Sequence, residues 1–359
     1  MARIDSFLQV VADQGASDLH FCSGNQPIVR HDGTLLALPF RKLSPNETRR
    51  FLFEILSPEQ REKFERVREL DFVYALDNGW RFRANYYVQT NGVAGVFRVI
   101  KSKPPTMAAM ELPSMIKKLL HHKNGIVLVT GPTGSGKTTT LAAMINEINA
   151  TVRRHIITIE DPIEFVHQPN KCLVTQRQVG VHVPSFSDAL RSALREAPDV
   201  IVVGEMRDHE TISLALTAAE TGALVFGTLH TNTAATTIDR IIDATPEEAR
   251  DQTRAALSVL VRGIVAQQLL KRSSGEGRVA ALEVLFNSTA VANLIRDDKI
   301  HQLEALLRNA DGRAEGNLGL DMCLYKHARA GVITHEEALR YAKSREHVAK
   351  LLAEMPEEM

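Results

Sequence analysis

Apolar residues follow two different rhythms along this chain, and the change comes near residue 101. In the first part the runs are short and interrupted. Phe7, Leu8, Val10 and Val11 form a stripe of helical spacing, and a polar turn follows over 13–17. Strand-like runs come next at 19–22, 27–30 and 34–38, with His31-Asp32-Gly33 as the turn between the second and third. Ser44-Pro45-Asn46-Glu47 predicts a helix start, with serine at the N-cap, proline in the first turn and Glu47 closing a capping box. Ser57-Pro58-Glu59-Gln60 repeats that signature. Two β-rich runs at 80–89 and 95–100 then flank the turn Thr90-Asn91-Gly92.

Lys101-Ser102-Lys103-Pro104-Pro105 reads as a linker, because two adjacent prolines deny the chain both helix and central strand. Beyond it the runs become continuously apolar and rich in Val and Ile, at 126–130, 156–159, 200–203 and 224–228. Such runs suit strands buried on both faces, and their alternation with helical segments predicts a parallel sheet. The C-terminal part is mostly helical, with loop signals at Asp311-Gly312 and Gly316-Asn317. The expected division is an α+β N-terminal domain over 1–100, a linker over 101–112, an α/β core over 113–287 and a helical C-terminal region over 288–359.

Composition narrows the classes of partner. Lys plus Arg equals Asp plus Glu at 43 each, so the chain lacks the basic excess of a nucleic-acid binder, and nucleic acid is not an expected partner. The three cysteines, Cys22, Cys172 and Cys323, have neither zinc-ligand nor disulfide-framework spacing, which fits a reducing cytoplasm. Met1-Ala2-Arg3-Ile4-Asp5 has no secretory h-region, and no run approaches the roughly 20 apolar residues of a membrane span. Membrane association is therefore expected to be peripheral or through a partner.

Four segments carry chemistry. Gly131-Pro132-Thr133-Gly134-Ser135-Gly136-Lys137-Thr138 matches the GxxxxGK[ST] phosphate loop and sits between a buried strand and a helix, as that loop requires; Thr139 continues it. Its glycines let backbone N–H groups approach phosphates, the helix start adds partial positive charge, Lys137 reaches the β- and γ-phosphates, and the Thr138 hydroxyl suits Mg²⁺. The run 200–203 leads through Gly204 to Glu205, an acid placed to hold the metal shell; many strands end in an acid, and it is the upstream phosphate loop that gives this one meaning. Glu160, Asp161 and Glu164 follow the run 156–159, and Glu164 is the candidate for orienting and deprotonating water. His230, just beyond the run 224–228, is a candidate γ-phosphate sensor.

The order of these segments, phosphate loop, TIEDPIEF, PDVIVVGEMRD and GTLHTN, resembles the secretion and pilus ATPase superfamily, and most closely its PilT-type retraction ATPases of type IV pili. Ala16-Ser17-Asp18-Leu19-His20 and Leu294-Ile295-Arg296 extend the resemblance over nearly the whole length. It implies a RecA-like P-loop core with a smaller PAS-like N-terminal domain, acting as a homo-hexamer that hydrolyses ATP with Mg²⁺. It also implies a cytoplasmic place at the inner membrane, an inner-membrane pilus platform protein as partner, and a second retraction ATPase beside it. Residue by residue, Lys137 and Thr138 carry over as phosphate and Mg²⁺ ligands, Glu164 as the catalytic carboxylate, Glu205 as the Walker B acid and His230 as the sensor. Arg81, Arg83 and Arg98 fall in the segment that supplies arginines to the nucleotide in this family, although exposed strand faces also carry arginines for solubility alone.

The chain departs from the family pattern at three places. Ala197 stands where Asp is usual, Ala223 where His is usual, and Ala292 where an arginine is usual. These leave open an accessory paralogue in a mixed motor complex, and the RecA-like core leaves open a motor on nucleic acid.

Overall fold

The computed structural model describes residues 2–31, 33–100, 103–308 and 316–354. Asp32 of the first predicted turn, Lys101 and Ser102 of the linker, the Asp311-Gly312 loop signal and residues 355–359 lie outside the described residues. The chain forms two compact units: Met1–Lys103 with Glu164–Val166, and Pro104–Ile163 with His167–Met359. Among the described residues no helix is long and apolar enough to cross a membrane.

The N-terminal unit contains α1 (Asp5–Asp13), β1 (Asp18–Cys22), β2 (Ile28–His31), β3 (Thr34–Ala37), α2 (Pro45–Phe53), α3 (Pro58–Val67), β4 (Glu69–Ala75), β5 (Arg81–Gln89) and β6 (Gly92–Ile100). Both serine caps form: Ser44 and Ser57 each accept from the backbone three residues on, and Glu47 and Gln60 reach back to the caps. The six strands pair antiparallel in the order β3-β2-β1-β6-β5-β4. Alternate residues of these strands, among them Leu19, Phe21, Phe82, Tyr86 and Phe97, share one core with Leu8, Val11, Leu52 and Phe64 of the helices. Tyr86 stands at its centre, edge-on to Phe64, Phe72 and Phe97, and its buried hydroxyl donates to the Leu52 carbonyl at 3.0 Å. Strand β4 is not among the strands expected from the sequence, because Glu69 and Asp71 interrupt a short apolar run there. The alternation of Leu70 and Phe72 with those acids is that of a half-buried strand.

The core unit runs α4 (Lys117–Leu120), β7 (Gly125–Thr130), α5 (Lys137–Thr151), β8 (His155–Glu160), β9 (Leu173–Gln178), α6 (Phe186–Ala193), β10 (Val200–Val203), α7 (His209–Glu220), β11 (Leu224–Leu229) and α8 (Ala234–Asp243). It continues with α9 (Arg250–Leu260), β12 (Val261–Lys271), β13 (Arg278–Phe286), α10 (Thr289–Arg296), α11 (Gln302–Arg308), α12 (Leu320–Arg329), α13 (His335–Tyr341) and α14 (Arg345–Ala353). The seven strands order as β13-β12-β7-β11-β10-β8-β9. Six are parallel, the four expected from the sequence among them, and β13 is antiparallel to β12. The loop 272–277 is too short for the crossover of about a dozen residues that a parallel return needs.

The sheet is covered on both sides. Ile126 and Leu128 of β7 pack with α6–α11, while Val127 and Val129 of the same strand pack with α5 and α12–α14. Burial on both faces therefore explains the continuous apolar runs. Four of the parallel strands, β7, β11, β10 and β8, stand side by side, and each ends in one of the chemistry-bearing segments.

The C-terminal helices are tied to this sheet by a buried charge. Glu283 on β13 is 2% exposed. One carboxylate oxygen accepts the N–H of Ala234, the first residue of α8, at 2.9 Å, and the other accepts from Lys343 Nζ at 2.5 Å. Asp321 in turn accepts the backbone N–H groups of Lys343 and Ser344 at 2.7 and 3.0 Å. Lys343→Met leaves the carboxylate without its counter-charge and is expected to lower stability by about 2 kcal/mol, less than for a fully buried pair because the lysine is one-third exposed. Glu283→Gln added to it should recover most of that loss, read from urea midpoints of the two variants. Ala197 has φ of 50°, a left-handed backbone that Asp and Asn tolerate better than Ala. Ala197→Asp should therefore raise the midpoint, by about 0.5–1 kcal/mol.

Candidate nucleotide site

The phosphate loop depends on glycine at two close approaches. At Gly131 a Cβ would lie 2.2 Å from the backbone oxygen of Gln267 and 2.6 Å from Ser135 Oγ. At Gly136, with φ of 86°, it would lie 2.9 Å from Gln267 Nε2. Gly136 is also the N-cap of α5, whose axis points the unsatisfied N–H groups of its first turn back into the loop.

Lys137 opens α5 and is 9% exposed. Its ammonium donates to the carbonyls of Gly131 at 2.7 Å and Pro132 at 3.0 Å, and lies 3.3 Å from His230 Nδ1. Burial lowers its pKa below the ordinary lysine value, and the charge of Glu205 opposes that shift. His230 follows β11 directly, and its Nε2 stands 2.9 Å from Glu205 Oε1. A neutral ring carrying its proton on Nε2 satisfies both contacts, since Nδ1 then accepts from Lys137.

Glu205 is positioned by the ends of its neighbouring strands. Gly204 N–H donates to the Ile159 carbonyl of β8 at 2.8 Å. The Gly204 carbonyl accepts the Thr228 hydroxyl of β11, and Met206 N–H returns to the Thr228 carbonyl at 3.0 Å. Arg207 grips both carboxylate oxygens, with Nε 2.5 Å from Oε1, the oxygen that also faces His230, and a terminal nitrogen 2.6 Å from Oε2. Burial raises the pKa of Glu205, but the Arg207 hydrogen bond and charge, with His230, outweigh it and hold the carboxyl below its usual value. Lys137, His230, Glu205 and Arg207 thus form one connected polar chain across the ends of β7, β11 and β10.

The remaining predicted residues fall as follows. Thr138 and Thr139 are half-buried in the first turn of α5, and the Thr138 hydroxyl has no intrachain partner among the described residues. Pro132, Thr133 and Gly134 are exposed at the loop tip, and Ser135 is buried. Glu160 ends β8 and accepts from Thr158 Oγ1 at 2.6 Å and Gln176 Nε2 at 3.0 Å. The Asp161–Pro162 peptide is cis. Glu164 is half-buried and falls with the N-terminal unit.

In that unit Arg83 and Arg98 are cross-strand partners on β5 and β6, and Arg98 in turn pairs in register with Asp18. Asp18 pairs also with Arg30, so Arg30, Asp18, Arg98 and Arg83 form a row across four strands. Arg98 Nε lies 2.8 Å from Asp18 Oδ1, and Arg83 Nε 3.9 Å from Asp71. Arg81 is half-buried at the start of β5.

Sequence reasoning missed two residues of the site. Arg207 stands two places beyond Glu205, where a basic residue following an acid was a readable signal. Gln267 is 1% exposed on β12, and it stands beside Gln268 in a strand that also carries Arg262, so nothing local sets it apart.

Comparison with known proteins agrees with this geometry. The family model described as type II/IV secretion system protein matches residues 106–352. The chain is 47% identical over 340 residues to the type IV pilus retraction ATPase PilT of Pseudomonas aeruginosa, covering 95% of this chain and 98% of that protein. It is 39% identical over 342 residues to the type IV pilus ATPase PilU of the same organism, covering 95% and 89%. Among solved structures, that of the pilus retraction motor PilT with bound ADP superposes with a TM-score of 0.90 at 43% identity, covering 98% of this chain and 99% of that one. A phosphate loop, an acid and a histidine at the ends of adjacent parallel strands, within a fold shared over its full length, place the chain: it belongs to the type II/IV secretion system protein family, among its PilT-type ATPases.

Proposed function

We propose that this chain is the motor of type IV pilus retraction, a homo-hexamer that hydrolyses ATP on the cytoplasmic side of the inner membrane and drives pilin disassembly through a membrane platform protein. The observation that carries the ATPase part is the Lys137–His230–Glu205 chain, which links the phosphate loop to an acid and a histidine through contacts of 3.3 and 2.9 Å. The pilus assignment rests on similarity to PilT over nearly the whole of both chains.

Each residue has a role its chemistry suits. Lys137 exchanges its two loop carbonyls for phosphate oxygens, which relieves the burial of its charge. Thr138, with its free hydroxyl, and Glu205, with a carboxylate kept ionised, fit a Mg²⁺ shell; the ion would neutralise charge on the phosphates. Glu164 orients and deprotonates the attacking water. His230, touching both Lys137 and Glu205, senses whether the γ-phosphate is present. Arg81, Arg83 and Arg98 supply positive charge to the transferring phosphoryl group.

A second reading has one specific support. Similarity to PilU at 39% identity, with Ala197, Ala223 and Ala292 at family positions, suits an accessory subunit working beside a second retraction ATPase. The two readings separate on whether the purified chain hydrolyses ATP alone.

Lys137→Ala in a strain with no other retraction motor is expected to abolish twitching while pili still assemble; normal retraction there would overturn the motor assignment. Glu164→Gln should lower kcat by at least about 100-fold with the KM for ATP little changed, as loss of a general base does. A rise in KM with kcat intact would mean that Glu164 binds nucleotide and takes no part in the chemistry.

A further inference from the structure

Both ends of the phosphate loop rest on one residue of the neighbouring strand β12. Gly131, at the entry, lies flat against the backbone carbonyl of Gln267, with no room for a Cβ between them. At the exit the Gln267 side chain takes over. Its Nε2 donates to the Ser135 carbonyl at 2.6 Å, and its Oε1 accepts the Thr140 hydroxyl at 2.6 Å. Thr140 is fully buried in the first turn of α5, and Gln267 is 1% exposed. The Ser135 carbonyl can only accept, so the amide has one orientation, with Nε2 facing Ser135 and Oε1 facing the Thr140 hydroxyl.

Peptide geometry converts that contact into a direction. In a trans peptide the N–H points opposite to the C=O of the same unit. Holding the Ser135 carbonyl on Gln267 therefore turns the Gly136 N–H away from β12, towards the opposite side of the loop. That N–H has no intrachain acceptor among the described residues, as befits a donor reserved for a ligand.

We propose that Gln267 is a positioning residue of the phosphate loop: anchored by Thr140, it fixes the Ser135–Gly136 peptide so that the Gly136 N–H is presented to the nucleotide phosphates. Thr140 acts as the second half of the same device. The alternative is that the two contacts only fill the hydrogen-bonding needs of a buried strand residue. In that case their removal lowers stability and leaves phosphate affinity alone. The proposal rests on nucleotide phosphates binding in this loop, and does not depend on pilus retraction.

The test uses the full-length chain and three readouts: the affinity for a fluorescent ADP, its displacement by inorganic pyrophosphate, and the melting temperature without nucleotide. Gln267→Leu should weaken ADP and pyrophosphate by the same factor, about tenfold for a lost buried hydrogen bond at the phosphate cradle. Thr140→Val keeps Gln267 but removes one of the two contacts that anchor its amide. It should show a smaller loss of the same kind, with Thr140→Ser close to wild type, which keeps the test alive if Gln267→Leu does not fold. Unchanged ADP affinity in the folded variants, with only the melting temperature lowered, would overturn the proposal. So would weaker ADP with unchanged pyrophosphate, since the loss would then lie outside the loop. Wild-type protein that binds no ADP would remove the nucleotide reading as well, whereas wild-type binding with unaffected variants removes this proposal alone.

Discussion

Lys137 carries a positive charge into a nearly closed position, where its hydrogen-bond partners among the described residues are two carbonyl oxygens and an imidazole, and none is a carboxylate. A buried ammonium with neutral partners is undercompensated, and the surrounding structure is arranged around that deficit. The glycines bring the loop's own carbonyls to the ammonium. The dipole of α5 adds further positive potential at the same place. Glu205, the nearest compensating charge, is held one residue away through His230 and is itself occupied by Arg207. A polyanion that enters the loop meets an unmet electrostatic need, and affinity for nucleotide phosphates follows from it.

The parallel sheet makes the arrangement possible. Strands β7, β11, β10 and β8 are neighbours, all run the same way, and each ends in a functional segment, so residues up to about a hundred positions apart converge at one edge. Ligand sites at the carboxyl ends of such strands are the rule for open α/β sheets. Gly204 and Thr228 then fix the short linkages between strand ends that aim Glu205. On the far side the antiparallel pair β12–β13 supplies Gln267 to the loop and Glu283 to the start of α8 and the C-terminal helices.

Much of this was legible in the sequence. The phosphate loop has a fixed pattern and needs no tertiary information, and the strands before it, before Glu205 and before His230 are continuous apolar runs. The two serine caps were readable because a capping box lies within four residues. What the sequence concealed is non-local. Strand β4 alternates acids with apolar residues, and β9 is a polar edge strand, so neither stands out as an apolar run. Gln267 meets Ser135 and Thr140 across more than 120 positions, and no local pattern announces such a partner. Arg207 is local but acquires meaning only once both of its contacts to Glu205 are seen. The arginine row on the N-terminal sheet has the same character: Arg30, Asp18, Arg98 and Arg83 come from four strands, and register alone brings them into line.

On the motor reading this chain is by itself an ATP-hydrolysing subunit, despite alanine at 197, 223 and 292. Phosphate release from Mg²⁺-ATP, measured across protein concentrations with Lys137→Ala as the control, tests it most directly. Turnover per subunit should rise as the chain assembles and be lost in the control. Folded, assembled protein that releases no phosphate would contradict it, and would leave the chain an accessory subunit of a motor powered by another ATPase.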